Sequence, residues 1–237
     1  MIMDGKQRKE RGIRVNSKVK FICAGILFIL FVVLILLLKK VDVATVGPEQ
    51  TSVGFSGLNK SFHEMTGENM TLYKITDYLG YAALAVVGVF GLMGLIQLIQ
   101  RKSLFKVDHA ILALGVLYIV VMGMYVLFEK VIINYRPVIM EGDAHVEASF
   151  PSSHTVLAVV VLGSAMMMLS DYIQVDGLRL ALELLCIVVM VFLVIGRLFS
   201  GVHWLTDIIG GTLISGALLF LFAGVKEILA GSAASGS

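Results

Sequence analysis

Six long apolar runs limit what this chain can fold into. They are Phe21–Leu38, about Asp77–Ile99, Ala110–Phe128, Thr155–Ser170, Leu180 to about Gly196, and about Trp204–Val225. Each approaches the roughly 20 residues that cross a bilayer as a helix. Hydrocarbon offers no partner to backbone N–H and C=O groups, so a segment of this length must satisfy them internally, as a helix. The expected fold is therefore all-α: a polytopic membrane protein of six transmembrane helices. Composition agrees, with 58% hydrophobic and 15% charged residues, against about 25% charged in ordinary soluble domains. A net charge of +2 gives no case for a nucleic-acid partner. Nothing in the sequence specifies an oligomeric state.

Three segments follow from these runs. Residues 1–20 form a basic tail carrying Lys6, Arg8, Lys9, Arg11, Arg14, Lys18 and Lys20. Residues 21–225 form the six-span membrane domain, and residues 226–237 a second tail. The small residues Gly231–Ser237 read as a remnant of expression. No small-residue cleavage site clearly follows the first run, so it reads as a span rather than a signal peptide. Six spans place both termini on one side. That side holds twelve Lys and Arg residues and the other holds seven. The positive-inside rule then expects cytoplasmic termini in the cell membrane, with residues 129–153 and 197–203 extracytoplasmic. Residues 39–75 read as a polar connection with Gly47-Pro48, Gly54, Gly57 and Gly67. Short apolar pieces such as Val53-Gly54-Phe55 suggest that it partly packs on the membrane surface. Cys23 and Cys186 both lie in apolar segments and offer no disulfide framework and no cysteine metal spacing.

Arg197-Leu-Phe-Ser-Gly-Val-His203-Trp-Leu-Thr-Asp207 joins the fifth and sixth spans. On a helix His203 and Asp207 share a face, so the carboxylate would hold one ring nitrogen and leave the other free to act. Ser200-Gly201 is a turn signal that folds Arg197 toward the same point. The topology brings Lys130, Arg136-Pro137 and Pro151-Ser152-Ser153-His154 to the same membrane edge. Arginine's planar fork suits phosphate oxygens. Ser152 and Ser153 precede a helix start, whose free N–H groups bind anions. The set reads as an oxyanion pocket with two imidazoles beside it. A salt-bridged corner between two helices is the plainer alternative. A two-histidine, one-carboxylate metal site made of His154, His203 and Asp207 is another. Arg136 and Arg197 oppose a metal, because they repel a dication.

These blocks resemble the type 2 phosphatidic acid phosphatase superfamily of membrane lipid phosphatases. Its members carry Lys-x6-Arg-Pro, Pro-Ser-Gly-His and Ser-Arg-x5-His-x3-Asp. Here the third block reads Gly196-Arg197-x5-His203-x3-Asp207, the second reads Pro151-Ser152-Ser153-His154, and the first ends in Arg136-Pro137. The resemblance covers about residues 77 to 225. It implies that His203 is a nucleophile forming a phosphohistidine, Asp207 its orienting carboxylate, and His154 the acid that protonates the leaving oxygen. It implies Arg136, Arg197 and the backbone of Ser152 and Ser153 as ligands of the phosphoryl oxygens, with no metal and no cofactor. The partner it implies is a membrane lipid phosphate, with isoprenyl pyrophosphate, phosphatidate and phosphatidylglycerol phosphate as candidates. The chain departs from the pattern at Gly196, which replaces Ser, and at Ser153, which replaces Gly. Glu129 holds the family's lysine position while Lys130 stands one residue on. We expect Lys130 rather than Glu129 to reach the phosphate, because a carboxylate there repels the substrate. Transfer to another lipid or sugar through the same intermediate is a second reading. A non-catalytic lipid-binding or transport protein with a degenerate site is a third.

Overall fold

A computed structural model describes residues 16–235. The calls on residues 1–15, including Lys6, Arg8, Lys9, Arg11 and Arg14, lie outside the described residues. Among the described residues seven α-helices run α1 Ser17–Leu38, α2 Ser56–Thr66, α3 Met70–Arg101, α4 His109–Lys130, α5 Ser153–Tyr172, α6 Asp176–Phe199 and α7 Leu205–Ser235. Six of them, all but α2, are long and apolar enough to span a membrane. The helices outrun the apolar runs at several ends. Asn69 caps α3 by accepting the Leu72 N–H at 2.9 Å, so that helix starts seven residues before the hydrophobic run does. Its 32 residues extend about 48 Å at 1.5 Å each, well beyond a hydrocarbon core of about 30 Å. α7 likewise continues past Val225 to Ser235.

α5 and α7 are the central helices. About half of each span is buried, 56% and 50%, against 6% for α6. α1 packs along α7, and α5 lies against α3, α6 and α7. Lipid tails are as apolar as these side chains, so close packing and internal polar contacts hold such a bundle together. Near one end, the Phe31 ring stacks on Phe150 at 5.7 Å and 14°, and Phe128 meets both edge-on at 5.9 and 6.1 Å. Contacts of this kind contribute about 0.5–1.5 kcal/mol each beyond area burial. The cluster fixes Phe150 two residues before the cap of α5.

That end also carries the 39–69 connection. It contains a short antiparallel hairpin, β1 Ala44–Thr45 with β2 Ser52–Val53, and then α2. Three faces divide α2. Ser56 and Asn59 are buried, Gly57, Lys60, Ser61 and Glu64 are exposed and polar, and Leu58 and Met65 are exposed and apolar with the half-buried Phe62 between them. Such a helix suits a lipid–water boundary. Asn59 secures it: Nδ2 donates to the Gly54 carbonyl at 2.8 Å and to Thr206 Oγ1 at 3.0 Å, while Oδ1 accepts the Thr206 N–H at 3.2 Å. At the opposite end Lys20 pairs with Glu227 at 3.2 Å, joining the first and last spans, and Lys226 pairs with Asp171 at 2.8 Å, joining α7 to α5.

Candidate active site

The site forms where the α4–α5 loop, the start of α5 and the α6–α7 turn meet the first turns of α3. Backbone pairing shapes the loop. The Arg136 N–H donates to the Glu147 carbonyl at 2.9 Å and the Ser149 N–H to the Asn134 carbonyl at 2.9 Å. The indole N–H of Trp204 donates to the Tyr135 carbonyl at 2.7 Å, which ties the arginine segment to the start of α7. Asp207 stands in the first turn of α7, where the helix dipole favours a carboxylate. Its Oδ2 accepts the Trp204 N–H at 2.9 Å, so it caps its own helix. The Nδ2 of Asn134 donates to the other oxygen at 3.4 Å.

His203 is buried beside it. Its Nδ1 lies 3.7 Å from Asp207 Oδ2, in ion-pair range but beyond hydrogen-bond length. Burial, with Arg136 and Arg197 adding to it, holds this imidazole well below its ordinary value. His203 is therefore a free base at neutral pH, the form a nucleophile requires.

A cavity of ≈ 430 Å³ opens between α3, α4 and the start of α5. Its polar end is lined by Asp77, Glu129, Arg136, Glu147, Ser153, His154 and His203, and its apolar wall by Leu84, Val121, Phe128 and Leu157. Arg136 Nε lies 3.2 Å from Glu147 Oε2. Arg197 has no exposed side-chain surface. Its guanidinium sits 4.6 Å above the Tyr73 ring, and Nη2 donates to Asp77 Oδ1 at 2.9 Å. The same Asp77 oxygen is 2.9 Å from His154 Nε2. Several buried nitrogens here have no hydrogen-bond partner among the described residues: Arg136 Nη1, Arg197 Nε and Nη1, His154 Nδ1, and both ring nitrogens of His203. Such groups are costly to leave unpaired.

Most of the residues expected from the sequence do converge: His154, His203, Asp207, Arg136, Arg197 and Ser153. Ser152 sits deeper. Its hydroxyl caps α5, accepting from the Thr155 N–H at 3.4 Å and from Thr155 Oγ1 at 3.1 Å. Lys130 is exposed at the end of α4 and does not line the cavity, whereas Glu129 does. One helical residue turns a side chain by about 100°, and the lysine follows α4 outward instead of returning. Gly196 has a packing role: a Cβ there would lie 2.5 Å from Thr76 Cγ2. Of the second-span glycines, Gly80 abuts His154 and Gly94 abuts Ile111, while Gly88 and Gly91 face open space. Among the described residues, no group of three or more His, Cys, Asp or Glu side chains is placed to hold a metal ion.

Sequence reasoning missed Asp77, Asn134 and Glu147. Only Asp77 carried a usable signal, since a carboxylate within a span demands a partner.

The PAP2 superfamily model matches residues 110–227. The fold is similar to the crystal structure of a transmembrane PAP2-type phosphatidylglycerolphosphate phosphatase from Bacillus subtilis. The TM-score is 0.58 at 18% identity, over 86% of this chain and 96% of that one. No curated protein sequence matches significantly. With the family match lying over α4 to α7, including Arg136, His154, Arg197, His203 and Asp207, and the fold similar to that of a transmembrane member, this chain belongs to the PAP2 superfamily.

Proposed function

We propose that this protein hydrolyses a phosphate monoester or pyrophosphate of a membrane lipid through a phosphohistidine on His203. The observation that carries the reading is the set of unpartnered N–H groups on Arg136 and Arg197 beside an imidazole held as free base. Buried donors of this kind fit the equatorial oxygens of a transferring phosphoryl group. The apolar wall along α3 and α4 suits the lipid chain, which would enter sideways from the bilayer.

In the first step His203 Nε2 forms a bond to phosphorus as the bond to the leaving oxygen breaks. Asp207, on the Nδ1 side, steadies the imidazolium that develops. His154 gives its proton to the leaving oxygen. In the second step a water oxygen attacks phosphorus, the P–N bond breaks, and His154 takes the water's proton. Inorganic phosphate leaves and both imidazoles return to their starting state. The first-turn N–H groups of α5 at Ser153 and His154 add donors to the site. The charge bias of the loops supports an extracytoplasmic site with cytoplasmic termini.

The test is phosphate release by purified protein with EDTA, over a panel of phosphatidate, phosphatidylglycerol phosphate and an isoprenyl pyrophosphate. Metal-independent release, with acid-labile, base-stable phosphate trapped on wild-type protein and lost in His203→Ala, is expected. Release that persists in His203→Ala at near-normal kcat would overturn the mechanism.

A further inference from the structure

Asp77 lies outside both the motif blocks and the family match at 110–227, yet its Oδ1 meets two site residues at 2.9 Å each. A carboxylate in a phosphate site is a liability, because like charges repel. Its neighbours on α3 show what offsets that. Tyr73, Asp77 and Gly80 are spaced i, i+4, i+7 and so form one stripe along the helix. The Tyr73 ring lies under the Arg197 guanidinium. A Cβ at Gly80 would stand 3.1 Å from His154 Cδ2, so the imidazole rests directly on that position. Arg197 has no other carboxylate partner among the described residues. The stripe is a seat shaped for one imidazole and one guanidinium.

We propose that Asp77 is a positioning residue that holds His154 and Arg197 to a single carboxylate oxygen, fixing the acid relative to the phosphate ligand. Asp77 takes the Nε2–H of His154, which leaves Nδ1, buried and without a partner among the described residues, to carry the transferred proton. This rests on the phosphatase reading and on His154 as its general acid. An acid matters in proportion to how poor the leaving group is. Phosphatidate departs as an alkoxide and needs the proton. p-Nitrophenyl phosphate departs as a stable phenolate and does not. A residue that merely held the fold together would affect both substrates alike.

The experiment compares kcat and KM for phosphatidate and p-nitrophenyl phosphate in wild type, Asp77→Asn, Asp77→Glu, Gly80→Ala and His154→Ala, with thermal stability followed in parallel. Asp77→Asn is expected to lower kcat on phosphatidate by about tenfold or more, a barrier change of roughly 1.4 kcal/mol. Its kcat on p-nitrophenyl phosphate should stay within about threefold, with KM unchanged or lower. Asp77→Glu should recover part of the loss. Gly80→Ala pushes the imidazole off its seat and should give the same leaving-group pattern, so it decides the question if Asp77→Asn does not fold. Equal losses on both substrates in Asp77→Asn and Gly80→Ala, or no loss in either, would overturn the inference. A uniform loss in His154→Ala would instead remove the acid assignment on which it rests.

Discussion

Gly196 occupies the position where the family pattern has serine, and restoring that serine should damage this protein. A Cβ at residue 196 would fall 2.5 Å from Thr76 Cγ2 and 3.5 Å from Leu72 Cδ1. Carbon atoms prefer about 3.5–4.0 Å, so one side must yield by about 1 Å. Thr76 has little freedom to do so. It is fully buried, and its hydroxyl donates to the carbonyls of Leu72 at 3.0 Å and Tyr73 at 2.8 Å. The strain therefore pushes α3 and α6 apart, next to the Asp77–Arg197 contact. Overpacking of this kind costs about 1–3 kcal/mol. Gly196→Ser should lower the melting temperature by several degrees, at about 2–4 °C per kcal/mol for a chain of this length. It should also reduce kcat/KM several-fold. Thr76→Ser removes the clashing methyl and keeps the hydroxyl. The double variant should therefore recover at least about 1 kcal/mol relative to additivity. Thermal unfolding and phosphate release on the same detergent preparations complete the cycle. A Gly196→Ser protein as stable as the parent, or a strictly additive cycle, would refute the steric argument.

Other expectations are simpler to state. Activity should survive EDTA and be inhibited by vanadate, whose five-coordinate form fits the donors of Arg136 and Arg197; rescue of an EDTA-inactivated enzyme by Mg²⁺ would contradict this. The His203 imidazole is held below its ordinary 6.5, and protonation blocks attack, so the acid limb of kcat/KM should lie below that pH. A limb at 6.5 or above would place His203 in a more polar setting than the structure gives it. Lys130→Ala should change kcat/KM by less than about twofold, whereas Glu129→Gln, on the cavity, should lower KM for an anionic substrate. The opposite ranking would bring Lys130 to the phosphate after all. With Cys23 and Cys186 replaced, a cysteine at exposed Glu141 should react with an impermeant thiol reagent in intact cells, and one at exposed Lys102 only after lysis. The reverse pattern would invert the topology.

Hydrophobic length alone locates the spans, because the bilayer leaves a long apolar run no option but a helix. It says little about where helices stop. α3 begins at Met70 because Asn69 caps it, and α7 passes Lys226 and Glu227 because Asp171 and Lys20 pair with them. The i, i+4 spacing of His203 and Asp207 sets the two side by side, but His203 stands before α7 and its Nδ1 stays 3.7 Å from Oδ2, while Asp207 caps its own helix. Spacing is blind to Asp77, which meets its partners across 77 and 120 residues of chain. At the start of an apolar run it reads as a boundary. Ser152 illustrates a different blindness: the sequence offers its backbone N–H to an anion, and the fold spends that N–H on the Asp207 carbonyl at 3.1 Å.

Asn59 joins α2 to the first turn of the helix that carries Asp207. Leu58 and Met65 leave an apolar face of α2 exposed beside Phe62, whose ring meets that of Phe199 at 6.2 Å. Choice of detergent is thus a chemical variable of the reaction as well as a matter of solubility. A micelle that seats Leu58, Phe62 and Met65 preserves the Asn59–Thr206 clasp, whereas one that withdraws from them loosens the N-terminus of α7. Preparations of equal purity and identical sequence would then differ in turnover according to the amphiphile around α2, and reconstitution into a bilayer would bring them back to a common value.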